Sequence, residues 1–224
     1  MQRKQDELIE RVIAAEWQQF DRVKNEGGRA SCQDDFETFY IMRKSQYLLW
    51  EEEMLESFLQ DLQEAEKRGW NLITEKYARM MKSTASKEYA LLEKDLPVRS
   101  KEREAISENI IRIQVAWMEE FAKKFPKTAS NARSIHTYED GEYNTSYETY
   151  LRGELGTYSE ETFLLYGRWI AKAATAGRNI AYEIMTETVK MYGYESVEAK
   201  EEKEITTDAF CDTESKTCRC NGRK

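Results

Sequence analysis

The sequence predicts an all-α protein, a helical bundle built from two pseudo-symmetric halves. The composition is helix-forming: charged residues make up 34% of the chain and only 2 of 224 residues are proline, in a mix rich in Ala, Glu, Lys, Leu and Arg. Apolar side chains recur at spacings of three and four along most of the chain. Landmarks of the first half also return in order about 100 to 111 positions later. Trp17 with Phe20 is echoed by Trp117 with Phe121, Phe36-Glu37-Thr38-Phe39 by Tyr147-Glu148-Thr149-Tyr150, and Tyr47 by Tyr158. The turn Gly69-x-Asn71-Leu72-x-x-Glu75 is echoed by Gly177-x-Asn179-Ile180-x-x-Glu183.

Each element follows from local chemistry. Leu8, Ile9, Val12, Ile13, Trp17 and Phe20 fall on one face and predict a first helix from Gln5 to about Lys24, stopped by Gly27-Gly28. Asp34 is placed to cap a second helix to about Leu49, and Glu51 to Lys67 reads as a third, ended by Gly69. Asn71 caps a fourth to about Met81, and a short helix over Lys87–Lys94 precedes Pro97. Ser100 opens a long helix to Lys124, with Pro126 at its end. A long polar connection, Lys127 to Thr145, holds the only histidine, His136, and loops of such length are often functional. Helices over Ser146–Gly156, Ser159–Thr175 and Asn179–Tyr192 complete the second half. The expected organisation is one repeat over residues 1–96, a second over 97–194 that joins it in one domain, and a flexible, disordered charged tail over 195–224.

A formal net charge of −8 argues against a groove for nucleic-acid phosphates. No apolar run is long enough to cross a bilayer, and the start, Met1-Gln2-Arg3-Lys4, has no export-signal pattern. The expectation is an acidic cytoplasmic protein with reduced thiols. Cys211, Cys218 and Cys220 crowd the end of the chain, where they could bind a soft metal or form a disulfide, but a zinc site is left one ligand short; a disordered extension is the plainer reading.

Glu37 and Glu148 invite a paired-carboxylate metal site, but Asp34-x-x-Glu37 and Thr145-x-x-Glu148 have the form of a capping box. A di-iron site of the ferritin type also needs more histidine than this chain has. Phe36, Tyr40, Arg43 and Tyr47 share one helix face, and the matching positions hold Tyr147, Leu151, Glu154 and Tyr158. Arg43 and Glu154 are therefore repeat-equivalent and opposite in charge, and would face one another near a pseudo-two-fold axis. The plain reading is a buried ion pair. The functional reading is a polar pocket lined by Tyr40, Arg43, Arg152 and Glu154. Arg29 and Arg133 precede helix starts, where an anion is favoured, and His136 is placed to exchange a proton. Glu52-Glu53-x-x-Glu56 resembles the magnesium-holding acids of all-α nucleotide pyrophosphatases, at a helix start where acids also suit the dipole.

The run Asn25 to Tyr40, the string Thr74-Glu75-Lys76-Tyr77-Ala78-Arg79-Met80-Met81 and the string Thr149-Tyr150-Leu151-Arg152-Gly153-Glu154-Leu155 resemble a bacterial family known as a domain of unknown function. The likeness runs to about Val197. It implies an intracellular bacterial protein and brings no established catalytic residues with it.

The preferred expectation is a site for a small anionic molecule between the repeats, of enzyme type. Arg29, Tyr40, Arg43, Arg133 and Arg152 would bind the ligand, and His136 or Glu154 would move a proton. A non-catalytic interaction module beside a partner enzyme is the second reading, and a magnesium-dependent nucleotide hydrolase the third. No metal ligand set and no cofactor is identified.

Overall fold

The computed structural model describes residues 2–25, 27–141 and 144–217, with side chains described as far as 207. Among these residues the protein is all-α, with eleven α-helices and no strand beyond a single bridge between Gly141 and Asn144. In the first part of the chain these are α1 (Gln2–Asp21), α2 (Phe36–Tyr47), α3 (Glu52–Lys67), α4 (Leu72–Thr84) and α5 (Ser86–Leu92). There follow α6 (Lys101–Lys124), α7 (Pro126–Ser130), α8 (Tyr147–Thr157), α9 (Glu160–Thr175), α10 (Ile180–Met191) and α11 (Val197–Thr217).

Side-chain caps set most helix starts. Asn71 and Asn179 accept the Thr74 and Tyr182 N–H groups, and Ser100 and Ser159 cap α6 and α9. The capping boxes expected at Asp34 and Thr145 are corrected by one residue. Asp35 caps α2 by accepting from Thr38 N at 3.0 Å, because Asp34 belongs to a short 3-10 turn, and Ser146 caps α8 by accepting from Thr149 N at 3.2 Å. Glu37 is exposed, and Glu148 turns toward the long connection to accept the Thr137 N–H at 2.8 Å.

The helices interlock. Helix α1 packs on α2, α3 and α4, and α6 packs on α8, α9 and α10; across these groups α4 lies on α8, α10 on α2 and α3 on α9. The core between them is aromatic. Trp50 sits edge-on to Tyr47, Phe58, Tyr158 and Tyr166, at ring separations of 5.0 to 6.2 Å. Such edge contacts add to the area these large rings bury.

Two segments differ from expectation. Pro126 ends α6 but also starts α7 at its first position, where its missing N–H costs nothing. The tail expected from 195 onward begins as α11, whose Val197 is fully buried against Phe121, Phe125 and Val189. Glu201, also buried, accepts the Lys127 and Thr128 N–H groups at 2.9 and 2.7 Å and so caps α7 from another helix. One buried apolar residue and one cap in a mostly charged stretch left no period to read. The side chain of Cys211, and Cys218 and Cys220 altogether, lie outside the described residues.

Candidate functional site

Two constellations stand at the junction of the first and second groups of helices. The inner one is a closed chain of four charges. Arg43 donates to Glu16 and, at 3.2 Å, to Glu154, while Lys76 lies 3.5 Å from the far oxygen of Glu154. All four residues are at most 6% exposed. Tyr47 donates to Glu16 at 2.7 Å, Tyr158 to Glu154 at 3.1 Å, and Lys76 to Tyr150 at 2.8 Å. Burial alone would push the Glu154 carboxyl up, but Arg43 and Lys76 overcome it and hold its pKa at about 2. Burial would also discharge Arg43, yet Glu154 and Glu16 push its pKa well above the ordinary value. The alternation of sign is what makes four buried charges tolerable.

The outer constellation is an open cleft of about 440 Å³ where α4 and α5 meet α6 and α8. Arg79, Lys82, Arg99, Arg103 and Arg152 line it, against two glutamates, Glu104 and Glu108. Helix α8 comes close enough to supply its floor because Gly153 and Gly156 face α4. A Cβ on Gly153 would sit 2.9 Å from the Lys76 carbonyl oxygen, and one on Gly156 would sit 2.5 Å from Arg79 Cδ.

The arginines are anchored from behind. Glu75, almost wholly buried, accepts from Arg79 at 2.7 Å and from Arg99 at 3.4 Å. Arg79 also donates to the Pro97 carbonyl at 2.7 Å. Arg99 donates to the Gly156 carbonyl at 2.8 Å, and Arg103 to those of Leu155 and Tyr158 at 3.1 and 2.6 Å. The last carbonyls of α8 thus find partners in cations, which also suits the negative end of its dipole. Burial, and then the nearness of Arg103, push the Arg99 pKa down; burial lowers that of Arg103 against the pull of Glu160. Arg152 is held the other way, raised by hydrogen bonds to Glu108 and Glu148. Lys82 stands exposed at the mouth and takes no part in an ion pair among the described residues.

The residues singled out in the sequence are not gathered at one opening. Arg43 and Glu154 do meet, but in the sealed interior. Arg152 lines the cleft, as does Thr137, the neighbour of His136. His136 itself pairs with Glu119 at 3.1 Å and stacks on Tyr138. Tyr40 donates to Glu10 at 2.7 Å, and Arg29 is held by Asp21 and Asp34 at 2.6 and 2.7 Å. Arg133 lies over the Tyr150 ring and donates to the Thr145 carbonyl at 3.3 Å. Glu52 and Glu56 both pair with Lys4, and among the described residues no three His, Cys, Asp or Glu side chains group as a metal site. Cys32 is exposed on its turn.

Sequence reasoning missed Glu16 and Lys76 in the interior, and Arg79, Lys82, Arg99 and Arg103 in the cleft. A signal existed for the first two. Glu16 occupies the apolar stripe of Ile9, Val12, Ile13 and Phe20, and Lys76 that of Leu72, Ile73 and Met80. A charge on a core stripe announces a buried partner. The cleft has no such signal, since its residues come from four helices and the segments before α6 and α8.

No curated protein and no solved structure matches this chain. The model of one family, described as a protein of unknown function (DUF4125), matches residues 6–202, nearly all of the described chain, and the protein belongs to that family.

Proposed function

We propose that the chain is a duplicated helical unit and that the cleft between its halves binds a small anion. The carrying observation is five cations around one opening in a chain of net charge −8. Two of them, Arg99 and Arg103, are disfavoured as cations by burial, so a bound negative charge relieves them. Duplication is supported by the reciprocal packing of α4 on α8 and α10 on α2, with α3 on α9 between them. Matched hydrogen bonds support it too: Asn71 donates to the Gln19 carbonyl and Asn179 to that of Trp117. In that register Gln19, not Trp17, is the counterpart of Trp117, and buried Val12 and Ile13 correspond to buried Ile110 and Ile111. The reading places Arg152 in the site and leaves Arg43 and Glu154 as the buried frame behind it. It assigns binding, and no reaction.

Thermal unfolding tests it. A ligand that binds only the folded state raises stability by RT ln(1 + [L]/Kd). Phosphate and sulfate are expected to raise the midpoint above chloride of equal ionic strength, with saturation, and Lys82→Glu to remove that rise. General salting-out also stabilises, but it neither saturates nor depends on Lys82. A rise of that second kind, or none, overturns the reading.

A further inference from the structure

We infer that residues 85–98 form a flap on the cleft that swings out as a unit while the helical bundle stays folded. The flap is a property of the fold and stands apart from the anion reading.

Its anchorage is slight. Among the described residues no side chain from 81 to 102 is buried, and Leu91 and Val98 are among the most exposed apolar residues of the protein. Helix α5 packs chiefly on α4, the helix it follows. Beyond the chain junctions, one hydrogen bond ties residues 85–98 to the rest of the described protein: the Pro97 carbonyl accepts from Arg79 at 2.7 Å. Half-buried Tyr89 is the one residue of the flap on the cleft wall. By contrast α11, which follows α10, sinks Val197 completely and caps α7 with Glu201. Buried apolar area is what holds an element down, and α5 lacks it.

Both ends of the flap are hinged, and the chain beyond each end is fixed on its own. The backbone leaves the helical conformation at Ala85, with φ −151° and ψ 65°, and is extended at Leu96, with φ −86° and ψ 145°. Before the first hinge Ser83 donates to Asp140; after the second, Arg99 donates to the Gly156 carbonyl and Ser100 caps α6. Movement between the hinges therefore leaves α4, α6 and α8 in place.

The Arg79 bond is the clasp. A hydrogen bond from a charged donor favours the closed form by about 10- to 100-fold, which keeps the flap shut most of the time yet lies far below the stability of a whole domain. Opening takes Tyr89 off the wall and frees the edge of the Arg79 fork that the Pro97 carbonyl holds. The closed flap is thus an autoinhibitory contact on the cleft. A helix of 7 residues cannot hold its own hydrogen bonds without a neighbour, so the α5 amides exchange with solvent whenever the flap is open.

Amide hydrogen exchange of the full chain, followed by NMR, tests this. Amides 89–92 are expected to share one protection factor of about 10 to 1,000, at least about 100-fold below the amides of α3 and α9. Low urea is expected to speed exchange in α3 and α9 and leave residues 89–92 unchanged, because local opening exposes little surface. Arg79→Lys keeps a cation beside Glu75 and gives up the fork that spans from Glu75 to Pro97, and is expected to speed exchange at 89–92 about tenfold. Tyr89→Ala, outside the core, is expected to act in the same direction. Protection at 89–92 equal to that of α3 and α9, or with the same urea dependence, overturns the flap. So does protection that fades residue by residue from one end, or none at all. Exchange unchanged in both variants overturns the clasp and with it the autoinhibitory contact.

Discussion

The replacement Glu154→Gln isolates the energy of the buried charge chain. It keeps the shape of the side chain and removes the one negative charge between Arg43 and Lys76. Glu154 is 5% exposed, so solvent screens the loss little. A carboxyl whose pKa falls from 4.5 to about 2 on folding holds about 3 kcal/mol of stability at neutral pH. Breaking a buried pair from one side costs ~3–5 kcal/mol in general, so the two routes agree. In a domain of this size the loss lowers the melting temperature by about 6–12 °C. The pH dependence has a definite sign. The folded pKa lies below the unfolded one, so the stabilisation is fully present above about pH 4.5 and is lost as pH falls toward 2. Urea unfolding of both proteins is therefore expected to show a constant difference from about pH 8 to pH 5, shrinking to about half near pH 3. A neutral-pH difference below about 1 kcal/mol, or one as large at pH 3 as at pH 7, would refute the charge-chain assignment.

Three further outcomes follow from the packing. Gly153→Ala brings a methyl to 2.9 Å from a backbone carbonyl of α4, and is expected to cost about 1–3 kcal/mol in denaturant unfolding by parting α4 from α8; a neutral result would mean the helices separate freely. Glu201→Ala uncaps α7 and is expected to cost about 1 kcal/mol, with faster hydrogen exchange at the Lys127 and Thr128 amides; unchanged exchange there would contradict the docking of α11. Between Met80 and Arg103 no side chain is buried, and Leu91 and Val98 are 76% and 94% exposed. Limited trypsin digestion is expected to cut first within this segment, at Lys87 or Lys94, and first cuts within α3 or α9 would contradict its loose packing.

The fold was legible where its causes are local. Asn71 caps the helix it is expected to cap, and Ser100, Ser159 and Asn179 cap the helices expected to start at them, because a capping side chain bonds an N–H two or three residues on. The pairing of Arg43 with Glu154 was legible from matched positions of opposite charge. Its burial was the plain reading, whereas its extension to Glu16 and Lys76 was not read, although each stands on an apolar stripe of its helix. The cleft was hidden for a different reason. Arg79 lies on α4, Arg99 just before α6, Arg103 within α6 and Arg152 on α8, and only the close approach allowed by Gly153 and Gly156 brings them together. Arg152 was reached through its neighbour Glu154. Arg29, Tyr40 and Arg133 were drawn by helix starts and stripes, and each is satisfied by nearby acceptors or rings instead.

The most direct measurement is an NMR titration that follows the arginine Nε–H signals while phosphate is added to the full chain. The Arg79, Arg99 and Arg152 signals are expected to shift together along one saturating curve, while Arg22 and Arg29, ion-paired on the outer surface, stay still. Shifts that grow linearly without saturation, or that fall on Arg22 and Arg29 as much as on the cleft, would contradict an anion site between the halves.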